Sequence, residues 1–175
     1  MRLAAITITT LSAALLSSCN SSDVNTSYDY EIKNANGGVI GNIELVDLGK
    51  KGTKVSIALS GLEEGSRAMH FHEFGKCEGP DFKSAGGHYN PTGAAHGMKM
   101  DDGPHAGDMM NIMVGADGSG SLELINDRVS ITQNGPLPAL MDADGSTLII
   151  HAKADDYVSQ PSGAAGPRIG CVVIK

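Results

Sequence analysis

Six histidines and one aspartate set the strongest constraint on what this chain can fold into. They stand at His70, His72, His88, His96, His105 and His151, with the carboxylate at Asp108. Together they supply seven ligands, whereas two four-coordinate metal ions need eight, so the count closes if one imidazole binds both ions. The pattern predicts a fold that brings distant parts of the chain together around a two-metal cluster.

The His70-x-His72 pair lies in a stretch that alternates as a strand does. Side chains two apart on a strand share a face and lie about 6.5–7 Å apart, so these two imidazoles can reach one metal ion. His151 ends an apolar run at residues 148–150, and with a shared His88 it completes an all-nitrogen set. Imidazole-rich sets of this kind suit copper.

A second set of four candidate ligands, which also includes His88, lies in one glycine-rich stretch. They are His88, His96, His105 and Asp108. Three imidazoles and a carboxylate satisfy a closed tetrahedral zinc site, and closed zinc sites are usually structural. Any one of these histidines alone is better explained as a surface or core residue, but the set with its aspartate favours a zinc site.

Short apolar runs between turn residues predict an all-β domain of about eight strands and no helix. The 23 glycines and the absence of tryptophan fit tight turns between short strands. The predicted strands lie at residues 28–32, 39–48, 55–59, 67–72, 111–114, 122–124, 148–151 and 171–174, with 129–132 as a further candidate. Residues 116–120 predict a hairpin turn.

Residues 73–109 form a long connection rich in glycine, proline and aspartate, without strand periodicity. A connection of more than about 15 residues without secondary structure normally counts against an assignment. Here the connection contains four of the seven proposed ligands, so bound metal ions explain how it is ordered.

The N-terminal residues 1–18 predict an export signal, because Arg2 precedes a mostly apolar run over residues 3–16. Residues 16–19, Leu-Ser-Ser-Cys, resemble the lipobox of bacterial lipoproteins, in which the cysteine is lipidated and becomes the mature N-terminus. This predicts a lipid anchor on Cys19, a flexible tether over residues 19–27 and a folded domain over residues 28–175. The protein is then expected in the periplasm or cell envelope, anchored to a membrane. Ordinary signal cleavage near Ala14 or Ser18 is the alternative.

Cysteine content and charge limit the compartment and the partners. If Cys19 carries lipid, Cys77 and Cys171 remain, and an oxidising compartment favours a disulfide between them. Two buried free thiols are the alternative. The formal charge of -7 argues against nucleic-acid binding, which needs clustered lysines and arginines.

The chain resembles the copper–zinc superoxide dismutases, specifically their exported bacterial branch. The resemblance covers residues 28–175 and is carried by His70-Phe71-His72-Glu73, Cys77, residues 81–91 (DFKSAGGHYNP), His96-Gly97, residues 103–108 (GPHAGD), residues 151–157 (HAKADDY) and residues 166–171 (GPRIGC). It implies an eight-stranded Greek-key β-sandwich or barrel with long metal-binding and electrostatic loops.

The resemblance also implies a role for each matching residue. One copper ion per subunit is expected on His70, His72, His88 and His151. One zinc ion per subunit is expected on His88, His96, His105 and Asp108, with the His88 ring shared by both ions. The other matches are Asp155, which links a copper ligand to a zinc ligand, Arg168, which guides the anionic substrate, and Cys77 with Cys171, the family disulfide.

Dismutation of superoxide to dioxygen and hydrogen peroxide is the activity that the resemblance implies. An envelope lipoprotein of the same fold that holds copper and zinc without turnover is the alternative. A two-metal hydrolase is disfavoured, because its zinc would keep an open coordination position. A protein of this net charge needs a local positive field to attract an anion, for which Lys76, Lys83 and Lys153 are candidates. The sequence leaves both a monomer and a homodimer open.

Overall fold

The computed structural model describes residues 26–175, so the predicted signal, Cys19 and most of the predicted tether lie outside the described residues. Nine strand segments are present in this range: β1 (Ser27–Lys33), β2 (Val39–Asp47), β3 (Thr53–Leu59), β4 (Gly65–Arg67), β5 (Met69–His72), β6 (Ile112–Val114), β7 (Gly120–Asn126), β8 (Ser146–His151) and β9 (Arg168–Ile174). The same range holds two 3₁₀ turns, Gly49–Lys51 and Lys83–Ala85, and no α-helix. None of its helical segments has the length and apolar character needed to cross a membrane.

Seven of the segments form one antiparallel sheet in the order β5-β8-β9-β1-β2-β3-β7, and β4 pairs with β6 in a second sheet. The strand predicted over residues 67–72 is β5 together with the last residue of β4, and the fully buried Ala68 between β4 and β5 marks the passage from one sheet to the other. With β4 and β5 counted as one strand, residues 26–175 contain eight strands, and the predicted all-β class is confirmed. β9 comes last in the chain and lies beside β1, a long-range neighbour relation typical of Greek-key folds.

Two local predictions were wrong. Residues 129–132 do not form a strand, because Ser130 makes only an isolated bridge to Ala139. The facing segment includes Pro138, which has no N–H to donate to a ladder. The predicted turn at residues 116–120 is present, but the flanking β6 and β7 pair with β4 and β3 instead of with each other.

Strand β5 directs its side chains alternately into the barrel and away from it. Met69 and Phe71 are fully buried in the hydrophobic core, so His70 and His72 point to the other face. That face is buried as well, since both histidines are 0 % exposed and isolated bridges join each of them to the long connection that follows β5. The connection therefore covers the strand and encloses its histidines.

A disulfide between Cys77 and Cys171 ties the connection after β5 to strand β9, which confirms the predicted pairing. The two cysteines are separated by 94 residues. In the chain-entropy model, closing a loop of that length contributes about 4–5 kcal/mol to folding stability. Phe82, Ala85 and Ile149 pack around the bridge in a small cluster beside the main core.

Candidate metal centre

The seven predicted ligands converge in two groups that share His88. The first group is His70, His72, His88 and His151, and the second group is His88, His96, His105 and Asp108. Within each group the ligand atoms lie within 4.8 Å of one another, and all of these residues are buried. The structure thus gathers the residues that the sequence assigned to a copper site and to a zinc site.

Each histidine of the first group leaves one ring nitrogen buried without a hydrogen-bond partner. These atoms are His70 Nδ1, His72 Nε2, His88 Nε2 and His151 Nε2. An unsatisfied buried polar atom costs about 1–3 kcal/mol, so four of them in one place need an explanation. A metal ion between them provides it, and the donor set of four nitrogens fits copper.

In the three histidines that lie on strands, the other ring nitrogen donates a hydrogen bond to an oxygen acceptor. His72 Nδ1 donates to the carbonyl of Gly86 at 3.1 Å, and His151 Nδ1 donates to the carbonyl of Gly166 at 3.1 Å. His70 Nε2 donates to the carboxylate of Asp155 at 2.9 Å. These hydrogen bonds fix which nitrogen of each ring carries the proton and leave the other free to bind a metal ion.

The second group is organised around the carboxylate of Asp108. Its Oδ1 lies 2.9 Å from His88 Nδ1 and 3.3 Å from His105 Nδ1. His96 Nδ1 lies 3.0 Å from Oδ2 in an ion-pair contact. The backbone N–H groups of Gly97 and His105 each donate to Oδ2 at 3.0 Å and hold the carboxylate in place. Three imidazole nitrogens and a carboxylate so arranged fit a closed zinc site.

Asp155 joins the two groups through their outer nitrogens. Its Oδ2 accepts the hydrogen bond from His70, and its Oδ1 accepts one from His96 Nε2 at 3.0 Å. Gly163 lies against this carboxylate with φ +65, and a Cβ there would stand 1.8 Å from Oδ1, so only glycine fits. The Asp155 side chain is thereby enclosed, and a shift of either ring disturbs the other through it.

Burial keeps three of these rings neutral. It lowers the pKa of His72 well below its usual range, the pKa of His88 to about 4 and the pKa of His151 to about 3. For His96, burial lowers the pKa, but hydrogen bonds with two carboxylates outweigh burial and raise it to about 9. Burial would raise the pKa of Asp108, but hydrogen bonds with three imidazoles hold it far below its usual range. Neutral rings and an ionised carboxylate are the forms that bind a metal ion, and a cation on the second group would displace the His96 proton.

Arg168, at the start of β9, lines a cavity of about 460 Å³ whose wall includes rings of the first group. Its two terminal nitrogens donate to the carbonyls of Phe82 and Gly86, each at 2.7 Å, so the guanidinium is held in one place. The Gly86 carbonyl also accepts the hydrogen bond from His72. One carbonyl therefore connects the cationic side chain to a ring of the first group.

The lysines proposed as sources of a positive field lie outside the cavity wall. Lys83 pairs with Asp81 at 2.9 Å on the surface, and the stem of Lys153 lies beside Gly166. Among the described residues, Arg168 is the cationic side chain that lines the cavity.

Several supporting contacts were not predicted from the sequence. The carbonyls of Gly86 and Gly166 orient two ring nitrogens, and a carbonyl has no sequence signature because every residue carries one. Arg128, in the segment after β7, donates to the carbonyl of Asp108 at 2.8 Å. It lies far from the histidines in sequence, so only the fold reveals its place.

Comparisons with known proteins agree with this geometry. Residues 39–174 match the family model for copper/zinc superoxide dismutase (SODC). A Cu-Zn superoxide dismutase of Caulobacter vibrioides is 45 % identical over 125 residues, which cover 71 % of this chain and 72 % of that protein. One of Aquifex aeolicus is 41 % identical over 146 residues, which cover 83 % and 84 %. The crystal structure of a SOD-like protein from Bacillus subtilis, 37 % identical, superposes with a TM-score of 0.79 over 84 % of this chain and 97 % of that chain.

The chain therefore belongs to the copper/zinc superoxide dismutase family. Relatives of 41–45 % identity are named Cu-Zn superoxide dismutases, so the enzyme class and the copper and zinc cofactors follow from the family. The similarity to the SOD-like structure confirms the predicted Greek-key β-barrel class.

Proposed function

We propose that this protein converts superoxide into dioxygen and hydrogen peroxide with copper on the first group, zinc on the second group, and the His88 ring bridging the two. The position of that ring carries the proposal. Its Nδ1 lies 2.9 Å from Asp108 in the second group, whereas its Nε2 is buried and unpartnered in the first group. The ring stacks on that of His70 with 4.0 Å between centroids.

The ligand atoms of the two groups determine the different role proposed for each metal ion. Copper bound to the four nitrogens supplies one-electron exchange with the substrate, which no side chain of the site offers. The acceptors on the outer nitrogens keep the ligand rings in place during that exchange. The buried, unpartnered Nε2 of His88 would take up a proton from solvent and pass it to the reduced oxygen, while Nδ1 would keep the ring on the zinc side.

Arg168 receives the anionic substrate in this proposal. Its guanidinium is fixed by two carbonyls, carries further N–H groups and lines the cavity that reaches the first group. A fixed cationic fork binds a small anion without first being ordered. In a protein with a formal charge of -7, such a local positive centre steers an anion toward the metal.

Export and lipid anchoring complete the proposed function. The disulfide Cys77–Cys171 supports export, because disulfides persist in oxidising compartments such as the periplasm. The signal over residues 1–18, lipidation at Cys19, the tether over 19–27 and the domain limits 28–175 stay predictions. Mass analysis of the mature N-terminus, with Cys19→Ser as the variant, distinguishes a lipid-bearing cysteine from ordinary cleavage near Ala14 or Ser18.

Metal storage without turnover is the second candidate, since relatives of this chain include proteins described only as superoxide dismutase-like. A storage protein does not need a fixed cation beside the metal, so the placement of Arg168 favours the enzyme.

Superoxide consumption by the metal-loaded protein separates the two candidates. The proposal expects catalytic loss of superoxide in proportion to copper content, measured by rapid mixing, with zinc-only protein as the control. Stoichiometric copper and zinc without turnover would leave metal holding as the function.

A further inference from the structure

Two side-chain amides join the loops that carry the site. The zinc-side loop is defined as residues 86–108, and the β8–β9 loop as residues 152–167. We infer that Asn111 and Gln160 are positioning residues that lock these loops in register, so that Asp155 meets His70 and His96 together. Neither residue touches a proposed metal position, and each acts through the backbone of another residue.

Asn111 follows the zinc-side loop and binds the backbone of Asp155 twice. Its Nδ2 donates to the Asp155 carbonyl at 2.9 Å, and the Asp155 N–H donates to its Oδ1 at 2.9 Å. Its own N–H donates to the hydroxyl of Tyr157 at 2.8 Å. Three hydrogen bonds from one residue thus hold the start of the β8–β9 loop.

Gln160 makes the reverse connection, from the β8–β9 loop to the zinc-side loop. The His96 N–H donates to its Oε1 at 2.9 Å, and its Nε2 donates to the His96 carbonyl at 2.8 Å. Nε2 also donates to the carbonyl of Val158 at 3.0 Å, which fixes the amide within its own loop. Asn111, just beyond the zinc-side loop, therefore binds a backbone unit of the β8–β9 loop on both sides, and Gln160 in the β8–β9 loop does the same to a backbone unit of the zinc-side loop.

The Asp155–His96 hydrogen bond lies between these two amide pairs. Asn111 fixes the backbone of its acceptor, and Gln160 fixes the backbone of its donor. Each pair uses one amide donor and one amide acceptor, so an amide with its two ends exchanged would lose both bonds. Loss of the Gln160 bonds would free the backbone of His96, and loss of the Asn111 bonds would free the backbone of Asp155.

The inference rests on the proposed ligand roles, so the experiment that tests it measures metal binding and not turnover. Gln160→Glu keeps the acceptor for the His96 N–H and places an oxygen where the donor to the His96 carbonyl was. Asn111→Asp keeps the acceptor for the Asp155 N–H and places an oxygen where the donor to the Asp155 carbonyl was. The matched controls are Gln133→Glu and Asn134→Asp, which make the same charge change in an exposed segment without contact to the site.

The probes are zinc release to a chelator and the visible spectrum of cobalt(II) placed in the zinc site. Gln160→Glu and Asn111→Asp are each expected to lower zinc affinity about 10-fold, as for other groups that orient metal ligands, and to alter the cobalt spectrum. Both controls should match the parent. The double variant should lose less than the two single losses combined, because both amides act on one hydrogen bond.

Gln160 lies on an exposed loop segment, so Gln160→Glu is the decisive variant even where Asn111→Asp lowers the stability of the metal-free protein. Zinc release and cobalt spectra equal to those of the controls would overturn the inference while leaving the ligand assignment intact. If the parent protein binds no cobalt in tetrahedral geometry, the ligand assignment itself is overturned, and the inference about Asn111 and Gln160 fails with it.

Discussion

The two halves of the metal centre are built on different kinds of backbone. Three of the proposed copper ligands lie on strands β5 and β8, which pair with each other. All four residues of the zinc group lie in the zinc-side loop, which contains no strand or helical segment and only isolated bridges at His88 and Asp108. Strand pairing places the first set before any metal binds, whereas the second set depends on its own hydrogen bonds and on the ion. We therefore expect the proposed copper site to be preformed and the proposed zinc site to be completed by its ion.

Hydrogen exchange on the metal-free protein tests that difference most strongly. Strand β8 is buried along its whole length between β5 and β9, so its amides should exchange only through large-scale opening. Amides of the zinc-side loop should exchange faster by on the order of 10²–10³-fold, because local openings cost less than unfolding. Zinc binding should slow amide exchange in the zinc-side loop and leave the exchange rates of β8 unchanged. Equal protection of the two regions without metal would remove the distinction.

Asp108→Ala should separate the two halves by metal content. The variant loses the carboxylate that faces all three nitrogens of the zinc group, so zinc affinity should fall more than about 100-fold, beyond the usual cost of a supporting residue. Copper occupancy should fall much less. Metal analysis after dialysis gives both numbers, with Asp101→Ala on the exposed part of the same loop as the control. Equal loss of both metals would contradict separate sites.

Arg168→Ala should act on turnover and not on metal content. Removal of the fixed cation should slow superoxide consumption about 10-fold or more and weaken the dependence of the rate on ionic strength. Copper content should stay intact, and Arg168→Lys should be intermediate because it keeps the charge without the fork. Lys50→Ala, which removes an exposed charge in the 3₁₀ turn between β2 and β3, is the control. A rate equal to the parent's in Arg168→Ala would exclude the guiding role.

Arg128→Ala should have the smallest effect and should be confined to the zinc half. One hydrogen bond to the Asp108 carbonyl is lost, which is worth about 1 kcal/mol, or about 5-fold in zinc affinity. The matched control is Arg67→Ala, which removes a similar bond to the carbonyl of Glu63, a residue that belongs to neither metal group. If both variants hold zinc as tightly as the parent, the loop does not depend on this anchor.

The sequence predicted which residues converge, because imidazoles and carboxylates carry their metal-binding chemistry in the side chain. It also predicted the strand pattern wherever apolar alternation reports a buried face, as in β3 and β5. It could not predict the break at Ala68, because passage between sheets depends on which strands are neighbours in space.

The residues that orient the ligands were harder to predict for a physical reason. The carbonyl of Gly86 and the amide of Gln160 act through generic hydrogen-bonding groups, and their partners are 14 and 64 residues away in sequence. Such contacts exist only once the loops have packed. The error at residues 129–132 has a related cause, since Val129 and Ile131 are fully buried as a strand pattern requires, yet they lie in a loop without a ladder partner.

The shared ring of His88 is tested most directly by electron paramagnetic resonance of protein with copper(II) in the first group and cobalt(II) in the second. If one imidazole binds both ions, their unpaired spins couple through the ring, and the copper signal seen with zinc should vanish when cobalt takes its place. A copper signal of full intensity and unchanged shape in the fully loaded copper–cobalt protein would show that no single ring joins the two ions.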